Sequence, residues 1–283
     1  MHRAAPLTCL LMATLLLAQG AAAQSACTAP STDCMVVGEW NIGLSLGAGQ
    51  RTNPVDGNSA IPLVLIPQIS YYGKRFFLEN LELGFTLHES DTSTLSLIAA
   101  PGYDRVFFYR NDLQNYFVSG SALGLVSTPQ YNADKHDLAA SEYPIRARRT
   151  TYLVGPEWTF SYGRVVGQVD ALYEVTGRHQ GYEVRAALAA PLVQSEDSLT
   201  ASTGLTWKSA ALVRYYYGID RLYQPGSALN PFVKLAYSKP LSPRWAFNAF
   251  AHYEYLDDAI ADSPTVSGHG VTTVFAGIVL KIL

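Results

Sequence analysis

Cysteine is nearly missing from this chain of 283 residues: it has three, Cys9, Cys27 and Cys34, all near the start. The last two are seven positions apart, which matches neither a C-x-x-C redox pair nor a zinc-ligand spacing. Charge is also sparse, at 15% of residues with a formal net charge of −3, and this gives no reason to expect a nucleic-acid partner. Past the first twenty-odd residues no apolar run approaches the length of about 20 that a membrane-crossing helix requires. Tracts rich in Pro, Gly or Ser are absent, so nothing marks a domain linker. No H-E-x-x-H, P-loop or dinucleotide fingerprint occurs either. No cofactor or metal site is expected: the five later histidines, His88, His136, His179, His252 and His269, show no metal-ligand spacing on one strand.

What is present begins with compartment. Met1, His2 and Arg3 form a short basic start, Leu7 to Ala18 is almost wholly apolar, and Gly20-Ala21-Ala22-Ala23 supplies small residues. This three-part layout predicts a secretory signal peptide over 1–23. Residues 24–36 are then expected to be a periplasmic extension and 37–283 the folded domain. Cys9 leaves with the signal, and in an oxidising periplasm Cys27 and Cys34 can close a small loop. The preceding Gln24-Ser25-Ala26 lacks the Leu of a lipid-attachment box.

The decisive signal is alternation. From Trp40 one face reads Trp40, Ile42, Leu44, Leu46 and Ala48, and the other Asn41, Gly43, Ser45, Gly47 and Gly49. Period two with small or polar residues on one side suits a membrane β-barrel, and it also suits a soluble sandwich. Recurrence with charge separates the two. Val169, Ala171 and Tyr173 oppose Gln168, Asp170 and Glu174, and Tyr182, Val184 and Ala186 oppose Glu183 and Arg185. Such charges are costly in a dry core unless paired, but ordinary in a barrel lumen. On Arg244–Leu256 the outward face runs Trp245, Phe247, Ala249, Ala251, Tyr253, Tyr255. Ten steps of about 3.3 Å, tilted by about 40°, give a band roughly 25 Å tall between two aromatic ends.

Strands are predicted near 37–49, 63–72, 75–88, 92–103, 114–127, 148–161, 164–177, 181–192, 198–208, 228–240, 244–256 and 270–283. The expected fold is therefore all-β: a transmembrane, antiparallel, up-and-down β-barrel of about twelve strands, with ten or fourteen left open. Tight turns at 72–74, 161–164, 195–197 and 240–243 then fall on the periplasmic side. Longer connections near 50–62, 129–147, 209–227 and 257–269 fall outside, which is the usual asymmetry. Asp104–Leu113 is the exception, a long periplasmic connection in this scheme.

Gly43-Leu44-Ser45-Leu46-Gly47 matches the nucleophile-elbow pattern, but it lies within an alternating strand rather than at a strand-to-helix turn. His252, Glu254, Asp257, Asp258, Asp262 and His269 gather near one rim. They read as a solvated acidic loop, with acid/base chemistry as the alternative.

Several motifs occur in an order that resembles a known family. They are Arg51-Thr52-Asn53-Pro54, Pro67-Gln68-Ile69-Ser70-Tyr71 and Arg75-Phe76-Phe77-Leu78, then Tyr215-Tyr216-Tyr217-Gly218-Ile219, Tyr223-Gln224-Pro225-Gly226, Pro243-Arg244-Trp245 and Asp262-Ser263-Pro264-Thr265-Val266. The set is similar to the MipA/OmpV family of outer-membrane proteins. It departs at Val279–Leu283, where such barrels usually end in an aromatic, and from about 104 to 150. The resemblance implies location in the bacterial outer membrane, in contact with its lipid. It further implies a non-enzymatic scaffold for murein-remodelling enzymes, an MltA-type lytic transglycosylase and a penicillin-binding protein. A small-solute channel and an outer-membrane hydrolase are the alternatives.

A scaffold needs periplasmic surface, and the long connection is where this reading expects it. Arg105, Phe107, Phe108, Tyr109 and Arg110 are of the residue types that dominate interface hot spots, so they are the expected partner contact.

Overall fold

The computed structural model describes residues 37–108 and 148–282. Their twelve strands form one closed antiparallel barrel in which each strand pairs with its chain neighbours and β1 closes on β12. The strands are β1 (Trp40–Arg51), β2 (Ile61–Tyr72), β3 (Phe76–Glu79), β4 (Glu82–Ser90), β5 (Ser93–Pro101) and β6 (Tyr152–Tyr162), followed by β7 (Val165–Glu174), β8 (Tyr182–Gln194), β9 (Ser198–Lys208), β10 (Ala228–Pro240), β11 (Trp245–Tyr255) and β12 (Gly270–Lys281). The closing register runs from Gly43 opposite Lys281 to Arg51 opposite Thr273. No edge is left at that seam, which is what removes unsatisfied backbone groups from lipid.

Alternation is seen along the strands. On β7 the inward Gln168, Asp170, Leu172 and Glu174 are buried, while Val169, Ala171 and Tyr173 are exposed. On β11 Trp245, Ala251, Tyr253 and Tyr255 are exposed and His252 is buried. Outward aromatics form two belts, with Trp40, Tyr162 and Trp245 at one end and Tyr152, Tyr182, Trp207 and Tyr255 at the other. Between them Leu46, Leu97, Leu188, Leu205 and Leu235 are all exposed, the apolar band that a bilayer covers.

The count of twelve is reached by a different route from the one expected. The predicted strand 75–88 is two strands, because Asn80 turns the chain at φ 55, a left-handed conformation that Asn tolerates. Asn80 also ends the β2–β3 ladder: its backbone N–H donates to Ile69 O, and its Oδ1 accepts from Ile69 N–H. The turn flips the parity, so Phe77 points into the lumen and Phe76 shares the outer face with Phe85. Gly84 allows this, since a Cβ there would collide with the Phe77 ring.

The predicted strand 114–127 lies outside the described residues. β5 pairs directly with β6, from Ser93 opposite Phe160 to Pro101 opposite Tyr152. The extra strand at Asn80 therefore moves the segment after β5 to the opposite end of the barrel. It now sits with the connections at 52–60, 209–227 and 256–269, while the turns at 73–75, 91–92, 163–164, 195–197 and 241–244 share the other end. Short turns belong to the periplasm and long connections to the outside. Tyr103–Phe108 is thus at the outer mouth, and the expected periplasmic connection is corrected accordingly.

Candidate functional site

The outer mouth is occupied by three short helices packed on one another. A 3-10 turn, η1, covers Tyr103–Phe107, α1 covers Ala210–Tyr217 and α2 covers Asp258–Ala261. α1 buries Leu212, Val213, Tyr216 and Tyr217, the i, i+1, i+4, i+5 stripe of one helix face. That stripe joins Val106 and Phe107 from η1, Phe108 just after it, Leu256 and Ile260 from around α2, Val55 from the first connection, and the strand residues Ala228 and Val271. The Phe108 ring lies 5.6 Å from that of Tyr217 and 6.1 Å from that of Tyr216. Apolar packing therefore joins η1, α1 and α2 at the outer mouth.

Polar bonds fasten this cap to the wall. Asp104 Oδ1 accepts from Lys208 Nζ on β9 and from the Tyr217 hydroxyl, each at 2.7 Å. Burial, then the Asp104 carboxylate, pushes the Tyr217 hydroxyl well above its ordinary range, so it stays a donor. The Arg51 guanidinium on β1 lies 5.1 Å from the Tyr103 ring centre, and its Nε donates to Thr273 Oγ1. Asn53 and Asn58 both donate to Phe107 O at 3.0 Å. Ser263 donates to Tyr217 O at 2.7 Å, tying the segment after α2 to α1.

Below the cap the lumen carries charge in pairs and networks. Arg185 Nε lies 2.6 Å from Glu183 Oε1, and its Nη1 lies 3.9 Å from Asp170 Oδ2. Gln168 Nε2 donates to Glu157 and Asp170. Buried ions of this kind are tolerable because each has a partner. Among the described residues no group of three His, Cys, Asp or Glu could hold a metal ion.

A family model described as "MltA-interacting protein MipA" matches residues 42–281. The chain belongs to the MipA family.

Two curated relatives extend the comparison. The outer membrane protein YiaT of Escherichia coli O157:H7 is 26% identical to this MipA-family chain, covering 83% of it and 89% of the relative. The MltA-interacting protein of Escherichia coli K12 is 23% identical, over 86% and 90%. Among solved structures, the COG4313 outer membrane channel of Pseudomonas putida F1 aligns over 88% of the chain and 99% of its own, at 12% identity and a TM-score of 0.41. The MipA-family chain is an outer-membrane β-barrel protein.

Three of the motifs that carried the resemblance meet at the cap. Arg51 and Asn53 grip η1, Tyr216 and Tyr217 are its centre, and Ser263 and Thr265 close over Tyr217. Of the expected partner contact, Phe107 and Phe108 are 1% and 3% exposed, and Arg105 is half-buried with its Nε bonded to Arg148 O. Tyr109, Arg110, Cys27 and Cys34 lie outside the described residues.

The acidic rim does not assemble. Asp257 caps α2 by accepting from Ala259 N–H and also accepts from Leu229 N–H, while His252 is buried in the lumen. Asp258 and His269 form an exposed pair at 3.7 Å.

Sequence reasoning missed the Asp104–Lys208–Tyr217 set. Asp104 lies more than one hundred residues before both Lys208 and Tyr217, and no local pattern links it to them.

Proposed function

We propose that this chain is a non-enzymatic scaffold barrel that holds a murein-remodelling enzyme of the lytic transglycosylase class at the outer membrane, with a penicillin-binding protein as a further partner. The observation that carries this reading is the apolar cap at the outer mouth. A barrel whose lumen is capped by Phe107, Phe108, Tyr216 and Tyr217 is suited to holding something rather than passing it. The family description and the printed name of the Escherichia coli K12 relative support the choice of partner.

Because Phe107 and Phe108 are buried at the outer end, the contact is reassigned. Residues 24–36, with Cys27 and Cys34, are its proposed seat, following cleavage of a signal peptide over 1–23. The remaining periplasmic turns are short and offer little area, whereas a stable interface needs about 800 Å² per partner.

The test is capture. Immobilised lytic transglycosylase should retain the detergent-solubilised mature barrel and lose it when residues 24–36 are deleted, with assembly unchanged. Failure to retain the intact barrel contradicts the scaffold reading. Equal retention of both forms contradicts only the reassigned contact.

A further inference from the structure

The face of α1 turned away from the cap lines a separate cavity. Ala211, Arg214, Tyr215 and Gly218 follow the i, i+3, i+4, i+7 spacing opposite the buried stripe. Arg148 from the stretch before β6 joins them, with Arg178 and His179 from the β7–β8 connection. The cavity measures about 360 Å³, within the range of small-molecule sites. Among the described residues, Arg148, Arg178 and Arg214 line it together with one acidic residue, Asp220. We propose that this outer-face cavity binds a phosphoryl group, either on the headgroup of an outer-leaflet lipid or on a free phosphomonoester.

The donors are fixed in advance. Arg148 Nε donates to Tyr216 O and its Nη2 to Gly218 O, and its guanidinium stacks 5.6 Å from the Tyr215 ring centre. Arg214 is anchored through Nε to Ala210 O. Glu174 organises the β7–β8 connection: Oε2 accepts from the N–H groups of Arg178, His179 and Gln180 at 2.8, 3.1 and 3.0 Å, and Oε1 accepts from Thr176 N–H and Thr176 Oγ1. Among the described residues neither Arg178 nor Arg214 forms a salt bridge. Their charge is available.

His179 lines the same cavity. Its Nδ1 accepts from Gly181 N–H at 3.0 Å, which places the ring proton of the neutral form on Nε2. Burial lowers its pKa from the ordinary value, favouring that neutral form. Nε2 is enclosed and has no hydrogen-bond partner among the described residues. A carboxylate carries two oxygens and one charge, whereas a phosphoryl group carries three or more oxygens and up to about two charges. Arg178 and Arg214, with the Arg148 charge behind them, suit the greater oxygen count and charge of a phosphoryl group.

The test uses the full barrel in neutral detergent, with binding of inorganic phosphate and of glucose 1-phosphate followed by phosphorus NMR and calorimetry. A second arm compares nanodiscs containing a phosphorylated glycolipid with nanodiscs containing the same lipid after dephosphorylation. Saturable binding of the free esters identifies a soluble ligand, and preferential retention of the phosphorylated lipid identifies a headgroup. In either case the double substitution Arg178→Ala/Arg214→Ala should weaken binding by on the order of tenfold or more. Both residues are exposed and outside the wall, so heat-modifiable migration should be unchanged. Arg178→Gln/Arg214→Gln, which keeps side-chain bulk, repeats the measurement should the alanine variant assemble poorly. Absence of binding in both arms overturns the proposal, as does unchanged binding in a correctly assembled variant.

Discussion

Asp104 and Lys208 meet at 2.7 Å with side chains 1% and 4% exposed, joining the segment after β5 to the wall at β9, four strands away. Their pairing fixes η1 in the outer mouth, and Tyr217 completes it by donating to the same carboxylate oxygen.

Asp104→Ala leaves Lys208 buried without its counter-ion, and breaking such a pair costs about 3–5 kcal/mol. The urea midpoint for loss of the fast-migrating folded band should fall clearly. Asp104→Asn, which keeps an acceptor for both donors, should fall less. Equal midpoints for Asp104→Ala and the parent would mean that the pair does not secure the cap.

Ala249 and Asn248 are adjacent on β11 and face opposite sides, as Ala249 pairs with Ala276 and Asn248 with Gly277. Arginine on the lipid face near mid-membrane costs about 2–4 kcal/mol. Ala249→Arg should therefore reduce the folded fraction recovered from outer membranes much more than Asn248→Arg. Matching yields would show that the two faces of β11 are reversed.

The Phe77 ring occupies the space above Gly84, where any side chain would clash. Gly84→Ala should destabilise the barrel by about 1–3 kcal/mol, the cost of overpacking. Adding Phe77→Leu should restore part of that loss, read from the temperature at which the heat-modifiable band shifts. If Phe77→Leu adds its own loss without any recovery, the two residues do not share this contact.

Much of the barrel was legible because alternation is a local property. On β7 and β11 each inward residue is two steps from the next, so Asp170, Glu174 and His252 could be placed from sequence alone. The Asn80 turn was hidden because Phe77, Leu83 and Phe85 read as one apolar stripe. The structure puts Phe77 inside and the other two outside, with a two-residue turn reversing the parity. That local error carried a long-range consequence, since it exchanged the ends and put Arg105, Phe107 and Phe108 on the periplasmic side. The cap was not legible, because it is built from pairs distant along the chain. Its pieces were visible only as separate motifs, Arg51–Pro54, Tyr215–Ile219 and Asp262–Val266, with nothing local to show that they converge.

Single-channel recording in planar bilayers reads directly whether the packing of η1, α1 and α2 closes the outer mouth. The purified, correctly assembled barrel should insert without producing conductance steps. Removal of cap side chains, as in Phe108→Ala with Tyr216→Ala, should produce them. Stable, reproducible steps from the unaltered protein would contradict the closed-barrel account and favour a solute channel.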